Sequence, residues 1–448
     1  MPELMTHQVS GIEYLQTHPR ALLADDPGLG KSVQALRAAV EPILVVAPAM
    51  ILNGGVWDDE TAKWAAGADV TQVAYSQLSG RERTAKGGSR PTGKLKTDYQ
   101  QPWGTVILDE AHYVKGRKTS WTLATRQLKT ERLIQLTGTP LPNWAHEAFT
   151  LLQLLYPEQA KPGGRLGSYW RWVETWFGLG VQYGAGGKVV SDHVIGDLLP
   201  TTTWDLFREN NWGDRMLRRL RADCLDLPPL TESIIMCDMK PAQAKAYREL
   251  KRDFITWLDN GFEVGTWSQA GQAVKLAQCA TGLEILDPRE QCSDKLDKLQ
   301  NLLEDRPLPT LVVGHFQRTA EACAARAQAV GATTMVVHGG TSPANRRTAV
   351  RAFQAGSLDV LCATVGVISE GLTMTAADQI IRVERCYRPS RNSQARDRIY
   401  RTGQERPVTC IDLVTRGTID ENMLPLLAAK TDNQMRALGD KELRMLVV

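Results

Sequence analysis

The chain has 448 residues, of which 43% are hydrophobic and 23% charged, with a formal net charge of +3. That length suggests two or more domains, and that apolar fraction excludes a disordered polymer. No apolar run reaches the roughly 18–20 residues that span a bilayer, and the eight cysteines and seven histidines show neither Cys-x-x-Cys nor His-x-x-x-His spacing, so the chain reads as neither a membrane protein nor a zinc module.

In chain order, Met1–Gln8 lacks a basic start followed by an apolar stretch, so no signal peptide is read and a reducing cytosol is expected. Ala21–Ala24 reads as a strand, and Val33–Val40 as a helix. Between them runs Asp25-Asp26-Pro27-Gly28-Leu29-Gly30-Lys31-Ser32, the strand–loop–helix setting that a phosphate loop requires. Gly28 and Gly30 let backbone N–H groups turn inward around phosphate oxygens, and the helix presents its positive end to the same anion. Lys31 is expected to neutralise the β and γ phosphates of ATP, and Ser32 to offer its hydroxyl to Mg²⁺. Asp25 stands where the strict pattern has its first glycine.

Further strands are expected at Ile43–Ala47 and Val70–Tyr75. Gly80–Pro102 carries Arg81, Arg83, Lys86, Arg90, Lys94 and Lys96 with few acids, and reads as an exposed, flexible basic loop, either merely solvated or contacting a nucleic-acid backbone. Val106-Ile107-Leu108-Asp109-Glu110-Ala111-His112 then runs from an apolar strand into two adjacent acids. One carboxylate suffices to hold Mg²⁺, which keeps several waters; that role falls to Asp109. Glu110 is expected to orient or deprotonate the attacking water. Leu133–Thr137 closes the first block of strands.

Leu151–Gln291 differs in character: aromatic, helical, with a glycine-rich loop at Gly178–Gly187. Trp170, Trp172 and Trp176 read as the packing of a small helical subdomain, with base stacking as the alternative. A second block of strands follows at Leu311–His315, Thr334–His338, Val360–Ala363, Gln379–Val383 and Val408–Leu413. Apolar strands alternating with helices predict parallel, doubly wound sheets. From Arg382 to Arg406 the chain uses arginine and no lysine. Arg398 and Arg401, spaced i, i+3, are expected on one helical face as donors to the γ-phosphate, while others pair with Glu384, Asp397 and Glu405.

The order of these motifs resembles the superfamily-two helicases of the DEAH-box kind, and within them the Swi/Snf-like ATPases. Thr6-His7-Gln8 looks like the adenine-reading glutamine motif, and Asp25–Ser32 like the D-E-M-G-L-G-K-T loop. Ile43–Leu52, with Pro48, looks like the strand and turn that meet the nucleic-acid backbone. Asp109–His112 is similar to the D-E-A-H box, and Leu136–Pro140 with Asn143 to L-T-G-T-P-x-x-N. Met216–Arg219 with Leu227–Pro229, then Gln243 and Tyr247, follow the family order. So do His338–Arg346, Ser369–Leu372 with Thr375–Asp378, Thr418–Glu421, and Gln394–Gln404 as Q-A-x-D-R-x-x-R-x-G-Q. Asp26, Pro27, Ser32 and Cys386–Pro389 depart from the pattern without removing a catalytic group.

The resemblance implies two RecA-like doubly wound parallel-sheet lobes, an α/β fold. Residues 1–160 form the first lobe, 161–290 a helical insertion and 291–448 the second lobe. Glu110, Lys31, Arg398 and Arg401 would be catalytic. Gln8, Gly28, Gly30, Lys31, Ser32, Asp109 and Gln394 would bind ATP, with Mg²⁺ on Ser32 and Asp109. The implied activity is DNA-dependent ATP hydrolysis driving translocation on double-stranded DNA by a monomer, without a membrane. A strand-separating DNA or RNA helicase and an ATP-gated clamp on nucleic acid remain alternatives. With no chromatin-reading, nuclease or zinc module in view, a bacterial, archaeal or viral-host cytosol is expected over a nucleus.

Overall fold

The computed structural model describes residues 3–84, 88–183, 189–257, 263–266, 268–305, 309–368 and 373–440. Two compact units emerge: one runs to Cys224 and takes in a return segment beginning at Thr431, and the other comprises Leu225–Lys430.

The first unit is built on β1 (Arg20–Leu23), β2 (Ile43–Ala47), β3 (Val70–Ala74), β6 (Pro102–Asp109), β7 (Lys129–Leu136) and β10 (Met216–Leu217). They form one sheet in the order β10-β1-β7-β6-β2-β3, every pair parallel. Each residue of β2 is buried, as helices on both faces of a parallel sheet demand. This order sets the carboxyl ends of β1, β7 and β6 side by side, where open α/β sheets bind ligands.

Two hairpins are added to this unit. One pairs β4 (Ser79–Arg83) with β5 (Ser89–Leu95), so the stretch expected as a flexible basic loop is largely an ordered antiparallel ribbon; Lys86 lies outside the described residues. The other pairs β8 (Phe177–Tyr183) with β9 (Val189–Leu198), so the glycine-rich stretch is also in good part a hairpin. The three tryptophans pack as expected: Trp172 and Trp176 are buried with Phe149, Phe177 and Phe207 in an aromatic core that reaches Leu22 of β1 and Ala24 beyond it, and partly buried Trp170 packs against it.

The second unit carries β11 (Leu230–Cys237), the short pair β12 (Ile255–Trp257) and β13 (Glu263–Gly265), and then β14 (Thr310–Gly314), β15 (Thr334–Val337), β16 (Val360–Thr364), β17 (Gln379–Arg382) and β18 (Val408–Thr415). Its six-stranded sheet has the order β11-β18-β17-β14-β16-β15, again wholly parallel. Both sheets thus have the doubly wound form expected of RecA-like lobes. The middle of the chain supplies helices such as Pro241–Asp253 and Gln269–Thr281, but β10 and β11 from the same stretch each extend a lobe's sheet. β11 escaped sequence reading because it is an edge strand: Thr231-Glu232-Ser233 is exposed, which breaks the apolar run. Six of the eight free cysteines are buried, and no described helix is long and apolar enough to cross a membrane.

Candidate functional site

β1 delivers the chain into the Asp25–Gly30 loop, and Lys31–Ala38 departs from it as a helix. Gly28 and Gly30 adopt φ of 94° and 74°, left-handed backbone that side chains disfavour. Gly30 is favoured by that backbone, and a Cβ there would also lie 2.3 Å from Gln8 Nε2 and displace the end of that side chain. The glutamine expected to read adenine is therefore packed on the phosphate loop itself. Its Oε1 accepts from Met5 N (3.0 Å), and the neighbouring His7 Nε2 lies 3.1 Å from the Leu29 carbonyl.

Lys31 Nζ donates to the Asp25 and Asp26 carbonyls at 2.7 and 3.2 Å. Burial pushes its pKa below the usual lysine value, opposed by Glu110 and, more weakly, by Asp25, Asp26 and Asp109. Ser32 follows in the helix's first turn, half-buried.

The acids come from the end of β6. Asp109 Oδ2 accepts from Trp57 Nε1 at 2.9 Å, its Oδ1 accepts from Glu110 N at 2.9 Å, and its carbonyl accepts from the Tyr75 hydroxyl at 2.9 Å. Burial, and secondarily the charge of Glu110, raises its pKa to about 6. Glu110 sits at φ 48°, ψ 51°, a left-handed conformation uncommon for a non-glycine residue and costing on the order of 1–3 kcal/mol. What holds it is the end of β7. Thr137 Oγ1 donates to Glu110 Oε2 (3.3 Å) and lies 3.1 Å from His112 Nδ1, which is itself 3.2 Å from Glu110 Oε2. Thr139 N donates to the same Thr137 hydroxyl (3.1 Å), so the Leu136–Pro140 segment is bonded directly to the acid pair.

Sequence reasoning missed four of these supports. Trp57 and Tyr75 belong to no motif. Arg218 and Arg219 were read only as a family link, yet they clamp the phosphate loop. Arg219 donates to buried Asp25 through its backbone N (3.1 Å), through Nε (3.0 Å) and through Nη2, and to Gln34 Oε1 at 2.6 Å. Arg218 Nη1 donates to the Ala24 carbonyl at 2.6 Å, and its other nitrogens pair with Asp440 and Asp26. The Asp25 that replaces a glycine is thus a buried anchor for an arginine. The only available signal was the coincidence of two loop acids with a two-arginine segment.

Gln394, Arg398 and Arg401 belong to the second unit. Gln394 lies in the Pro389–Arg396 helix, which ends before either arginine. The expectation that one helical face presents both is corrected: Arg398 and Arg401 lie in turns, with Gly403 at φ 92° just beyond. Arg398 Nε donates to the Ile368 carbonyl (3.1 Å), and its own carbonyl accepts from Met374 N (2.9 Å). Gln404 Nε2 ties the turn down through the Ala377, Ile399 and Thr375 carbonyls at 2.6, 3.1 and 3.2 Å. Ser369–Leu372 lies outside the described residues.

The arginine pairs also differ from expectation. Arg382 and Arg385 converge on Asp412, whose carboxyl is held below the usual range by both. Arg406 faces Asp378 at 3.7 Å. Glu384 takes the hydroxyls of Thr281 (2.6 Å) and Thr319 (2.8 Å) and two backbone N–H groups. Arg396 does lie near Asp397, at 3.4 Å.

The first unit therefore offers a lysine, a hydroxyl and glycine-turned amides after β1, and two acids at the end of β6, on either side of β7. Asp109 uses two protein donors on its carboxylate and is raised in pKa by burial, so a divalent cation would relieve the cost of its charge. That donor set fits Mg²⁺, with Ser32 and Asp109 as the holding residues.

Residues 90–295 match the SNF2-related domain and residues 294–403 the helicase conserved C-terminal domain. Mouse "DNA annealing helicase and endonuclease ZRANB3" is 26% identical over 460 residues, covering 96% of this chain and 40% of that protein. Yeast "Transcription regulatory protein SNF2" is 26% identical over 483 residues, covering 96% of this chain and 27% of that protein. The chain thus spans less than half the length of these relatives. Among solved structures, the Sulfolobus solfataricus SWI2/SNF2 ATPase core in complex with dsDNA is 22% identical with a TM-score of 0.40, covering 98% and 94% of the two chains.

Proposed function

Since the chain belongs to the Swi/Snf-like ATPases of helicase superfamily two, we propose that it is a DNA-dependent ATPase that couples ATP hydrolysis to translocation along double-stranded DNA. The observation that carries this reading is Glu110: an acid in left-handed backbone whose carboxylate is held by Thr137 and His112, beside a metal-suited aspartate and a half-buried lysine. Bound Mg²⁺ would neutralise charge on the β and γ phosphates of ATP. Lys31 would turn from its loop carbonyls to the phosphate oxygens, and Ser32 and Asp109 would hold the metal. Glu110 orients the attacking water and takes its proton, as His112 and Thr137 fix the direction of its carboxylate. Arg398 and Arg401 supply guanidinium charge to the transferring phosphoryl group. Gln8 orients the base. Thr137 gives the acids a direct bond to the segment after β7, through which nucleic-acid contact and hydrolysis can be coupled.

The test is ATP turnover by the purified chain against duplex DNA, single-stranded DNA and RNA, with displacement of a triplex-forming strand in parallel. Duplex DNA is expected to raise turnover several-fold and to support ATP-dependent displacement. Response to RNA alone changes the track. Unwinding of tailed duplexes makes the protein a strand-separating helicase, and turnover without displacement or unwinding makes it a clamp.

A further inference from the structure

The β4–β5 hairpin plays no part in the nucleotide chemistry above, and its composition is one-sided. Arg81, Arg83, Arg90 and Lys94 are exposed on it, against a single acid, Glu82. Glu82 is neutralised across the ribbon by Arg90, whose Nε donates to Glu82 Oε1 at 2.7 Å. Arg81 spends two donors on Ser89, on Oγ (3.0 Å) and the carbonyl (2.9 Å), which lays its guanidinium along the ribbon with donors to spare. Three cationic side chains therefore remain uncompensated among the described residues. Charge on an exposed hairpin also prevents edge-to-edge pairing, a purpose for which lysine is the usual choice, whereas three of the four cations here are arginines. Guanidinium groups match phosphate oxygens in particular.

The ribbon is also firmly mounted. Gly93 N donates to Ser79 Oγ at 2.8 Å, closing its base. Gln127 clamps the same strand, donating from Nε2 to the Gly93 carbonyl (2.8 Å) and accepting from Leu95 N (3.2 Å). Gly93 is at φ 76°, and a Cβ there would come within 3.0 Å of Leu123, so the ribbon lies tight against the Ser120–Thr125 helix. That helix is bonded to the turn following the acid pair. Trp121 Nε1 donates to the Tyr113 carbonyl, and Thr122 Oγ1 to the Val114 carbonyl, both at 3.1 Å. An unbroken set of hydrogen-bonded segments thus runs from Glu110 to the cationic ribbon.

We propose that the β4–β5 hairpin is a contact of the first lobe with the phosphate backbone of duplex DNA, made by Arg81, Arg83 and Lys94. The proposal rests on the DNA-dependent reading above. The experiment measures binding of the full chain to a labelled duplex by anisotropy at several salt concentrations. Each phosphate contact contributes about 0.9 to the slope of log K against log salt. Arg81→Glu, Arg83→Glu and Lys94→Glu together are expected to weaken binding at least about tenfold and to flatten that slope by about 2–3. Glu82→Gln acts in the opposite direction, freeing Arg90 and tightening binding by about twofold, an effect that misfolding does not mimic. Unchanged Kd and slope in the triple variant, with the wild type binding duplex normally, overturn the hairpin proposal alone and leave its charges to edge protection. A wild type that binds no duplex overturns the DNA-dependent reading together with it.

Discussion

At the scale of single residues, the site sets two charges against burial. Lys31 and Glu110 are half-buried side chains whose replacement removes chemistry and little packing. Lys31→Ala or Glu110→Gln is expected to abolish ATP turnover while leaving the melting temperature within a few degrees of wild type; near-normal turnover in either removes the assignment. Asp109 makes the opposite trade. A carboxyl whose folded pKa is raised to about 6 is costly to ionise in the metal-free fold. Stability is therefore lost as pH rises from about 4 through 6, because the unfolded chain gives up its proton first. The shift corresponds to about 3 kcal/mol. Asp109→Asn removes that cost, keeps an acceptor for Trp57 and forfeits about 1 kcal/mol of hydrogen bonding. Metal-free Asp109→Asn is thus expected to be more stable than wild type by about 1–2 kcal/mol above pH 7 and less stable by about 1 kcal/mol at about pH 3 and below, while turnover is lost. Urea titrations across pH check the sign.

Among elements, the phosphate loop is held by β10 and the two arginines that follow it, from nearly two hundred positions later in the chain, as the Asp25–Arg219 separation of 194 shows. Asp25 is fully buried, so its charge is tolerable only with Arg219 in place. Arg219→Ala strands that carboxylate and is expected to cost about 3–5 kcal/mol, read as a fall in the urea midpoint at neutral pH. Arg219→Ala with Asp25→Ala should recover part of the loss, since neither partner is then left alone. Gln404 has a similar place in the second lobe, where three carbonyls depend on one side-chain amide to fix the turn carrying Arg398 and Arg401.

For the whole molecule, a net charge of +3 on 448 residues gives no general attraction to nucleic acid. Any affinity must come from local clusters of cations, and contacts of that kind weaken steeply with salt. Duplex-stimulated turnover is accordingly expected to require several-fold more DNA for half-maximal effect at 0.2 M salt than at 0.05 M, while DNA-free turnover changes little. Equal salt sensitivity of the two rates would place the dependence in the nucleotide site.

Much of this protein was legible before folding was considered. The central strands were readable because a strand covered on both faces must be apolar: Ile43–Ala47 is uniformly buried and uniformly Val, Ile, Leu or Ala. Lys31, Ser32, Asp109 and Glu110 were readable as candidates because the proposed chemistry requires local order along the chain, a loop before a helix and acids after a strand. The edge strand β11, the ordered basic hairpin and the turn geometry of Arg398 and Arg401 were not, since neighbours distant in sequence decide them. The same holds for Trp57 on Asp109, Thr137 on Glu110 and Arg219 on Asp25. Local chemistry leaves a local signature, whereas the partner that satisfies a buried charge or holds a strained acid can come from any strand whose carboxyl end the topology brings alongside.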